Sequence, residues 1–340
     1  MTDRKRAFPC AVAGALALLT ALSAAPSVNA AELSGRASKD LRLNDLQSVG
    51  THNSYKTRIP PVEMAMIAKA SPPQGRSLDY WHPTLTRQLD LGMRQIELDV
   101  AYDPEGGRYA DPALARMTKD QPGAVPFDAS QMSAPGFKVQ HMTDVDVRAS
   151  CPTFKSCLEE IRRWSKVHPD HIPLLIMLNA KDGEAYLPGG VKPLPYDEKA
   201  FDALDAEIRA VFPEGELITP DQVRGTHKTL REGAMAGGWP KLSRARGKVF
   251  FALDEHAPKV KLYLRGHTSL EGLPIFVNAL DEAADYAAYF TLNDPIGQQD
   301  RIQAAVRAGF VVRTRADSDT AEARTNDTRR REAAFASGAQ

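Results

Sequence analysis

Short apolar segments recur along the chain at intervals that leave room for helices between them. Two of the intervening segments carry apolar residues at helical spacing: Leu158, Ile161 and Trp164 lie on one face of 154–166, and 197–212 repeats the pattern. This alternation predicts an α/β fold with parallel strands joined by right-handed crossovers, either a closed barrel or an open, doubly wound sheet. The strand-like segments are 46–50, 95–101, 137–140, 173–179, 248–253, 274–279, 288–292 and 309–313.

Polar side chains lie at the carboxyl ends of the first four predicted strands. The carboxyl ends of barrel strands meet around one point, whereas an open sheet spreads them along an edge. We therefore predict a TIM-type (β/α) barrel whose reactive groups converge at its mouth. These groups are His52 and Asn53, Glu97 and Asp99, His141, and Asn179 and Lys181.

The segment 93–103 places two carboxylates, Glu97 and Asp99, on the same face of an otherwise apolar strand. Two neighbouring charges that lose hydration repel each other unless a cation or strong donors lie between them. A hard divalent ion bound by oxygen ligands is one solution. The alternative is that Arg or Lys side chains pair with the two carboxylates.

The amino-terminal residues predict export from the cell. Three basic residues at 4–6 precede an apolar run over 11–22, and 28–30 has the small-x-small pattern of a cleavage site. The run is too short to span a bilayer, so we predict a secreted protein without a transmembrane anchor. The predicted boundaries are a signal peptide over 1–30 and a single barrel domain over 31–340.

Charge and cysteine content narrow the class of protein further. The chain has 43 basic and 43 acidic residues, a balance that excludes the basic footprint of a nucleic-acid-binding protein. Cys151 and Cys157 are the cysteines that follow the predicted signal peptide. In an oxidising compartment we expect them to form a disulfide that staples the entry of the following helix. A free thiol pair is the alternative, and two cysteines are too few for a typical zinc site.

Four motifs occur in order at the predicted strand ends: THNSY, IELDV, QHMTDVD and CPTFKSCLEEIRRWSKVHPDHIPLLIML. Together they resemble the secreted bacterial calcium-dependent phosphoinositide-specific phospholipase C family, over about Leu43 to Asp319. The resemblance implies a barrel enzyme that cleaves phosphatidylinositol with two catalytic histidines and an oxygen-ligated Ca²⁺. The expected partner is a phosphoinositide lipid at a membrane surface, and we expect a monomer.

The resemblance assigns roles by position. His52 and His141 match the catalytic histidines, and Asn53, Glu97 and Asp99 match calcium ligands. The fourth expected ligand position, where calcium-dependent relatives often have glutamate, is Asn179 in this chain. An amide oxygen still binds Ca²⁺, but one formal charge is lost, so we expect weaker affinity unless Asp182 contributes.

The implied chemistry needs these residue types. Attack by the inositol 2-hydroxyl on the phosphorus requires a proton acceptor, for which Glu97 or His52 is available, and departure of diacylglycerol requires a proton donor, for which His141 is available. Whether His52 acts as base or stabilises charge is left open by spacing. The products would be diacylglycerol and a cyclic inositol phosphate.

Three cationic residues are candidates for binding the substrate. Lys181 shares a strand face with Asn179, and Arg313 and Arg315 alternate on a late strand, where they can point toward a phosphate. The alternatives are a surface lysine at a loop and an internal ion pair between the arginines and Asp317 or another carboxylate.

Two regions of the chain allow two interpretations each. The loop 57–82 contains Met64, Met66 and Trp81, which form either an apolar rim against lipid or the packed face of a short helix. Near the carboxyl end, either 274–279 and 288–292 are both barrel strands and the set is complete, or the chain lacks its closing strand and the barrel is irregular or incompletely closed.

Two other functions remain open at this point. A glycerophosphodiester phosphodiesterase also uses a barrel, a Glu-x-Asp pair and two histidines, but Arg-Gly usually follows its first histidine rather than the Asn53-Ser54 of this chain. A secreted inositide- or calcium-binding protein without activity is the non-enzyme alternative.

Overall fold

The computed structural model describes residues 40–340. The predicted signal peptide, 1–30, lies outside the described residues. The strands form a five-stranded sheet with the order β2-β1-β3-β4-β5 and a two-stranded sheet, β6-β7. The strands are β1 (Gln95–Ala101), β2 (Lys138–Val139), β3 (Leu174–Lys181), β4 (Val249–Leu253), β5 (Ile275–Val277), β6 (Tyr289–Thr291) and β7 (Val311–Arg313).

The two sheets belong to one irregular parallel barrel. An isolated parallel bridge between Asn278 and Tyr289 continues β5 into β6, and another between Gly50 and Gln95 adds the first segment beside β1. Both candidate strands near the carboxyl end are therefore present, as β5 and β6. The (β/α) barrel predicted from the sequence is confirmed, including its irregular closure.

The gap in the barrel lies between β7 and the segment around Asn44. Here Gln340 serves in place of a strand: its backbone N–H donates to the carbonyl of Val312 at 2.9 Å, and its side-chain oxygen accepts from the Val312 N–H at 2.8 Å. The side-chain amide nitrogen of Gln340 donates to the carbonyl of Asn44 at 2.7 Å. These bonds satisfy part of the β7 edge, whose backbone groups would otherwise need another partner.

Helices cover the outside and rims of the barrel. Their bounds are α1 (Pro61–Ala70), α2 (Pro72–Leu78), α3 (Leu85–Asp90), α4 (Ala113–Thr118), α5 (Phe154–Val167), α6 (Glu198–Val211), α7 (Pro220–Arg224), α8 (Leu230–Met235), α9 (Leu242–Ala245), α10 (Ala257–Leu264), α11 (Gln299–Arg307), α12 (Ala321–Thr325) and α13 (Arg329–Ser337). Short 3₁₀ turns occur at Leu43–Asp45 and Glu214–Glu216. No helix among residues 40–340 has both the length and the apolar character needed to cross a bilayer.

The prediction of a parallel third strand is wrong. β2 is a two-residue strand that pairs antiparallel with the end of β1, at Val100 and Ala101. The Val139 N–H donates to the carbonyl of Pro152, next to the disulfide at Cys151. No helix lies between β2 and this segment, in the described residues 140–150. His141 therefore reaches the barrel mouth from a tight loop beside β1.

α5 shows why its sequence forms an amphipathic helix at this place. Leu158, Ile161 and Trp164 are buried as their spacing predicts. Thr153 caps the helix by accepting the N–H of Ser156, a contact worth about 1 kcal/mol. Cys151 and Cys157 form a disulfide across this helix start, as predicted.

The loop 57–82 packs on the barrel through α1 and α2. Ile67 lies in a small apolar cluster with Ile59, Leu78, Leu114 and Val145, and the two methionines of α1 are partly buried against it. The packed interpretation therefore holds for α1. Trp81, by contrast, is 48% exposed, with the guanidinium of Arg58 stacked 3.2 Å from its ring centre.

Candidate active site

The first segment and β1 bring the histidine and the carboxylates together. The Ser54 N–H donates to the carbonyl of Glu97 at 3.0 Å, and the Glu97 N–H donates to the Ser54 hydroxyl at 2.9 Å. This reciprocal pair fixes His52 and Asn53 over the β1 carboxylates. Asn53 is in the left-handed region, with φ of 50°, a conformation that asparagine tolerates better than most residues.

Glu97 divides its two oxygens between different partners. Oε2 accepts from Arg313 Nη2 at 3.0 Å, and Oε1 lies 3.4 Å from His52 Nε2. Burial raises the pKa of Glu97 to about 7, although the Arg313 charge opposes this shift and Asp99 adds to it. Glu97 can therefore exchange a proton near neutral pH.

Asp99 contacts its partners through one oxygen only. Oδ2 accepts from the Tyr55 hydroxyl at 2.9 Å and pairs with Lys181 Nζ at 3.1 Å, whereas the buried Oδ1 has no hydrogen-bond partner. Burial alone would lower the pKa of Lys181, but the Asp99 carboxylate raises it. The parallel register places Asn179 directly beside Asp99 on β3.

The donor set fits a calcium ion. Asn53 Nδ2 donates to the Tyr80 hydroxyl at 2.8 Å, which leaves Asn53 Oδ1 buried without a partner, as is Asp99 Oδ1. Two orphaned buried oxygens beside Glu97 are what an absent hard cation would satisfy. Within 40–340 no three His, Cys, Asp or Glu side chains cluster as metal ligands. The amide oxygen of Asn53 is a third oxygen that could join the two carboxylates around a metal ion.

The charges of the site are already balanced by protein cations. Arg313 and Lys181 pair with Glu97 and Asp99, which confirms the ion pairs with basic residues, and the cation site at this Glu-x-Asp pair stays a prediction. We expect modest calcium affinity as a result. The contribution of Asp182 stays a prediction; its carboxylate pairs with Lys259 at 2.8 Å.

His52 is held by an aromatic residue that sequence reasoning missed. Its Nδ1 lies 3.1 Å from the Tyr80 hydroxyl. Since that hydroxyl accepts from Asn53, its own proton is free to go to Nδ1, which leaves the proton of neutral His52 on Nε2. Loss of hydration, followed by the charges of Arg315 and Arg313, lowers the pKa of His52 well below its usual value.

The second histidine faces the first across the mouth. The ring centres of His141 and His52 are 6.5 Å apart. His141 Nδ1 lies 3.0 Å from Asp146 Oδ2, and the other oxygen of Asp146 lies 2.6 Å from Lys56 Nζ. Lys56 and Asp146 also escaped the sequence analysis, although both lie within a few residues of the histidine motifs.

The two late-strand arginines differ in their environment. Arg313 is 4% exposed and is an internal ion-pair partner, of Glu97 and not of Asp317. Asp317 instead accepts backbone N–H groups of Glu322 and Ala323. Among the described residues no carboxylate pairs with Arg315, whose buried Nε lacks a partner. Arg315 is thus the cation with free donors near His52.

Comparison with known proteins gives a family and a fold. The family described as "Phosphoinositide phospholipase C, Ca2+-dependent" matches residues 41–340. The calcium-dependent phosphoinositol-specific phospholipase C of a Gram-negative Pseudomonas species, solved with myo-inositol and in two apo crystal forms, shares 19% identity with a TM-score of 0.53, covering 86% of this chain and 89% of that one.

Two further results complete the comparison. A calcium-dependent phosphatidylinositol-specific phospholipase C from Streptomyces antibioticus shares 18% identity with a TM-score of 0.48, over 78% of this chain and 80% of that one. No curated protein sequence matches significantly. At 19% identity the Pseudomonas structures support the fold, and the family assignment comes from the match over 41–340.

Proposed function

The chain belongs to the Ca²⁺-dependent phosphoinositide phospholipase C family, and we propose that it cleaves phosphatidylinositol-type lipids between two histidines at the barrel mouth. One observation carries the proposal. His52 and His141 face each other 6.5 Å apart over a carboxylate pair that is flanked by two unpartnered oxygens. A phosphate beside the two rings would meet hydrogen-bond donors, a proton acceptor and a cation site together.

Asn53, Glu97 and Asp99 would hold the Ca²⁺, with Asn179 beside them. When bound, the ion supplies positive charge that stabilises the phosphoryl oxygens and acidifies the inositol 2-hydroxyl. The oxygens available for this role are Oδ1 of Asn53 and Asp99, which have no other partner, and Oε1 of Glu97, whose second oxygen remains with Arg313.

Glu97 is the proposed acceptor of the 2-hydroxyl proton. In the metal-free protein burial raises the pKa of Glu97 to about 7, and bound Ca²⁺ would keep the group ionised, the form that accepts a proton. His52, whose pKa is lowered, is then neutral and presents Nε2–H to a phosphoryl oxygen. We therefore propose that His52 stabilises charge, a role that spacing alone left undecided.

His141 is the proposed acid for the leaving group. Its Nδ1 is hydrogen-bonded to Asp146, so Nε2 is the ring nitrogen that can protonate the glycerol oxygen as diacylglycerol departs. Arg315, with unpaired donors beside His52, is the proposed phosphate contact, and Lys181 the proposed inositol contact. We further propose that the protein is secreted and acts on lipid at a membrane surface.

The test is release of the headgroup from phosphatidylinositol in detergent micelles, followed by ³¹P NMR with CaCl₂ and with a chelator. We expect cyclic inositol phosphate that appears only with calcium. Glycerophosphoinositol serves as a second substrate, because a glycerophosphodiester phosphodiesterase would release glycerol phosphate from it. That product, or binding of lipid without any product, would refute the proposal.

A further inference from the structure

A fully buried Lys–Asp pair lies behind His141. The ammonium of Lys56 is 2.6 Å from Asp146 Oδ1, and the side chains of the two residues are 0% and 1% exposed. Asp146 Oδ2 is 3.0 Å from His141 Nδ1, and the side chain of His141 is 23% exposed toward the mouth. Three residues from two distant segments thus form a line that runs from the interior to the reacting space.

Burial of this ion pair disfavours folding, because two charged groups lose their hydration. Among the described residues, Asp146 is the one carboxylate within ion-pair distance of Lys56. Burial would raise the pKa of Asp146, but the hydrogen bond with His141 and the Lys56 charge lower it, so Asp146 remains a carboxylate. A carboxylate fixed in this way has one remaining oxygen, and that oxygen faces the imidazole.

The consequence for His141 is geometric. A carboxylate accepts hydrogen bonds and cannot donate them, so the Nδ1 facing it carries a proton. The neutral ring then has its lone pair on Nε2, and the protonated ring presents Nε2–H to the substrate. A hydrogen-bonded carboxylate on the far side of the ring fixes its plane and stabilises the imidazolium.

We propose that Asp146 and Lys56 are positioning residues that prepare His141 to protonate the departing diacylglycerol. This inference rests on the proposed function. In the step, the 2-hydroxyl oxygen bonds to phosphorus and gives its proton to Glu97. The bond from phosphorus to the glycerol oxygen breaks, its electron pair stays on that oxygen, and the Nε2 proton of His141 joins it. The products are cyclic phosphate, diacylglycerol and neutral imidazole.

The test compares two substrates with Asp146→Asn. Phosphatidylinositol needs a proton on its leaving group, whereas myo-inositol 1-(4-nitrophenyl phosphate) releases a nitrophenolate that does not. We expect kcat on phosphatidylinositol to fall about 10²-fold or more with little change in KM, and kcat on the nitrophenyl substrate to fall less than about 10-fold. His141→Ala should show the same selectivity, and the double variant should be no slower than His141→Ala.

Asp103→Asn is the matched control. Asp103 forms another buried pair, with Lys138 at 3.1 Å, but no histidine lies on its other side. Its replacement should lower Tm while changing the rates on both substrates by the same factor. An equal loss on both substrates for Asp146→Asn would mean a structural role and would overturn the inference.

Two further measurements keep the inference testable. Wild-type protein that cleaves neither substrate would refute the proposed function itself, which is a different failure. Should Asp146→Asn fail to fold, ¹⁵N NMR of the wild-type His141 ring decides the question. A neutral ring protonated on Nδ1 supports the inference, and one protonated on Nε2 overturns it.

Discussion

Arg313→Met tests whether Glu97 is a calcium ligand. The variant removes the guanidinium that lies 3.0 Å from Glu97 Oε2, where the two side chains are only 4% and 3% exposed. Breaking a buried pair by removing one partner costs about 3–5 kcal/mol, because the remaining charge is buried alone. For a domain of this size that loss corresponds to a fall in Tm on the order of 10 °C in the presence of a chelator.

Calcium should recover much of this loss. A ligand at about 100 times its Kd stabilises the folded state by about 2.7 kcal/mol, and the gain grows when affinity rises. Removing one positive charge beside the site raises calcium affinity, since Glu97 then interacts with the ion without competition. The increase in Tm on adding calcium should therefore be larger in Arg313→Met than in the wild type.

Thermal melting at pH 8, with CaCl₂ and with chelator, measures both effects. Arg265→Met is the matched control, because Arg265 pairs with Asp205 at 2.6 Å in a partly buried ion pair that lacks the two unpartnered oxygens of the proposed calcium site. Its loss of Tm should be the same with and without calcium. If calcium likewise left the Arg313→Met loss unchanged, Glu97 would not be a ligand and the proposed site would be wrong.

Three other predictions follow from the geometry. Burial raises the folded-state pKa of Glu97 from 4.5 to about 7, so the free energy of unfolding of the protein in chelator should fall as pH rises from about 4.5 through 7. Glu97→Gln should remove this pH dependence. The same change of Tm with pH in the wild type and in Glu97→Gln would contradict the prediction. His141→Ala should reduce phosphatidylinositol turnover by about 10²–10⁴-fold while calorimetry finds calcium binding nearly unchanged, because the carboxylate partner of His141 is Asp146; substantial residual turnover would remove His141 from the mechanism. Cys151→Ser removes a disulfide that joins residues six apart and should lower the free energy of unfolding, measured in urea, by about 2 kcal/mol while the activity is retained. Adding a reductant to this variant should have no further effect.

Local periodicity was sufficient to predict much of the fold. The two-residue spacing of Glu97 and Asp99 predicted that they share a face, and in the structure burial and the charge of Asp99 both raise the pKa of Glu97. The helical spacing in α5 predicted its buried face. Both results depend on contacts within one element, which a sequence pattern records directly.

Pairing between distant segments could not be predicted from the sequence. Arg313 is 216 residues from Glu97, and Lys56 is 90 residues from Asp146. The predicted direction of β2 was wrong for the same reason. A strand of two residues carries no sequence signal that tells whether it pairs parallel or antiparallel with its neighbour. Tyr80 likewise lies far from the motif that contains His52, and only the packing of 57–82 brings its hydroxyl to the ring.

The location of the calcium ion is the most direct test of the proposed mechanism. A crystal structure of the protein soaked in CaCl₂, with anomalous data, would locate the ion. We predict a peak about 2.3–2.6 Å from Asn53 Oδ1, Asp99 Oδ1 and Glu97 Oε1. A calcium peak at another place in the protein, or no peak at millimolar calcium, would contradict the proposed calcium site.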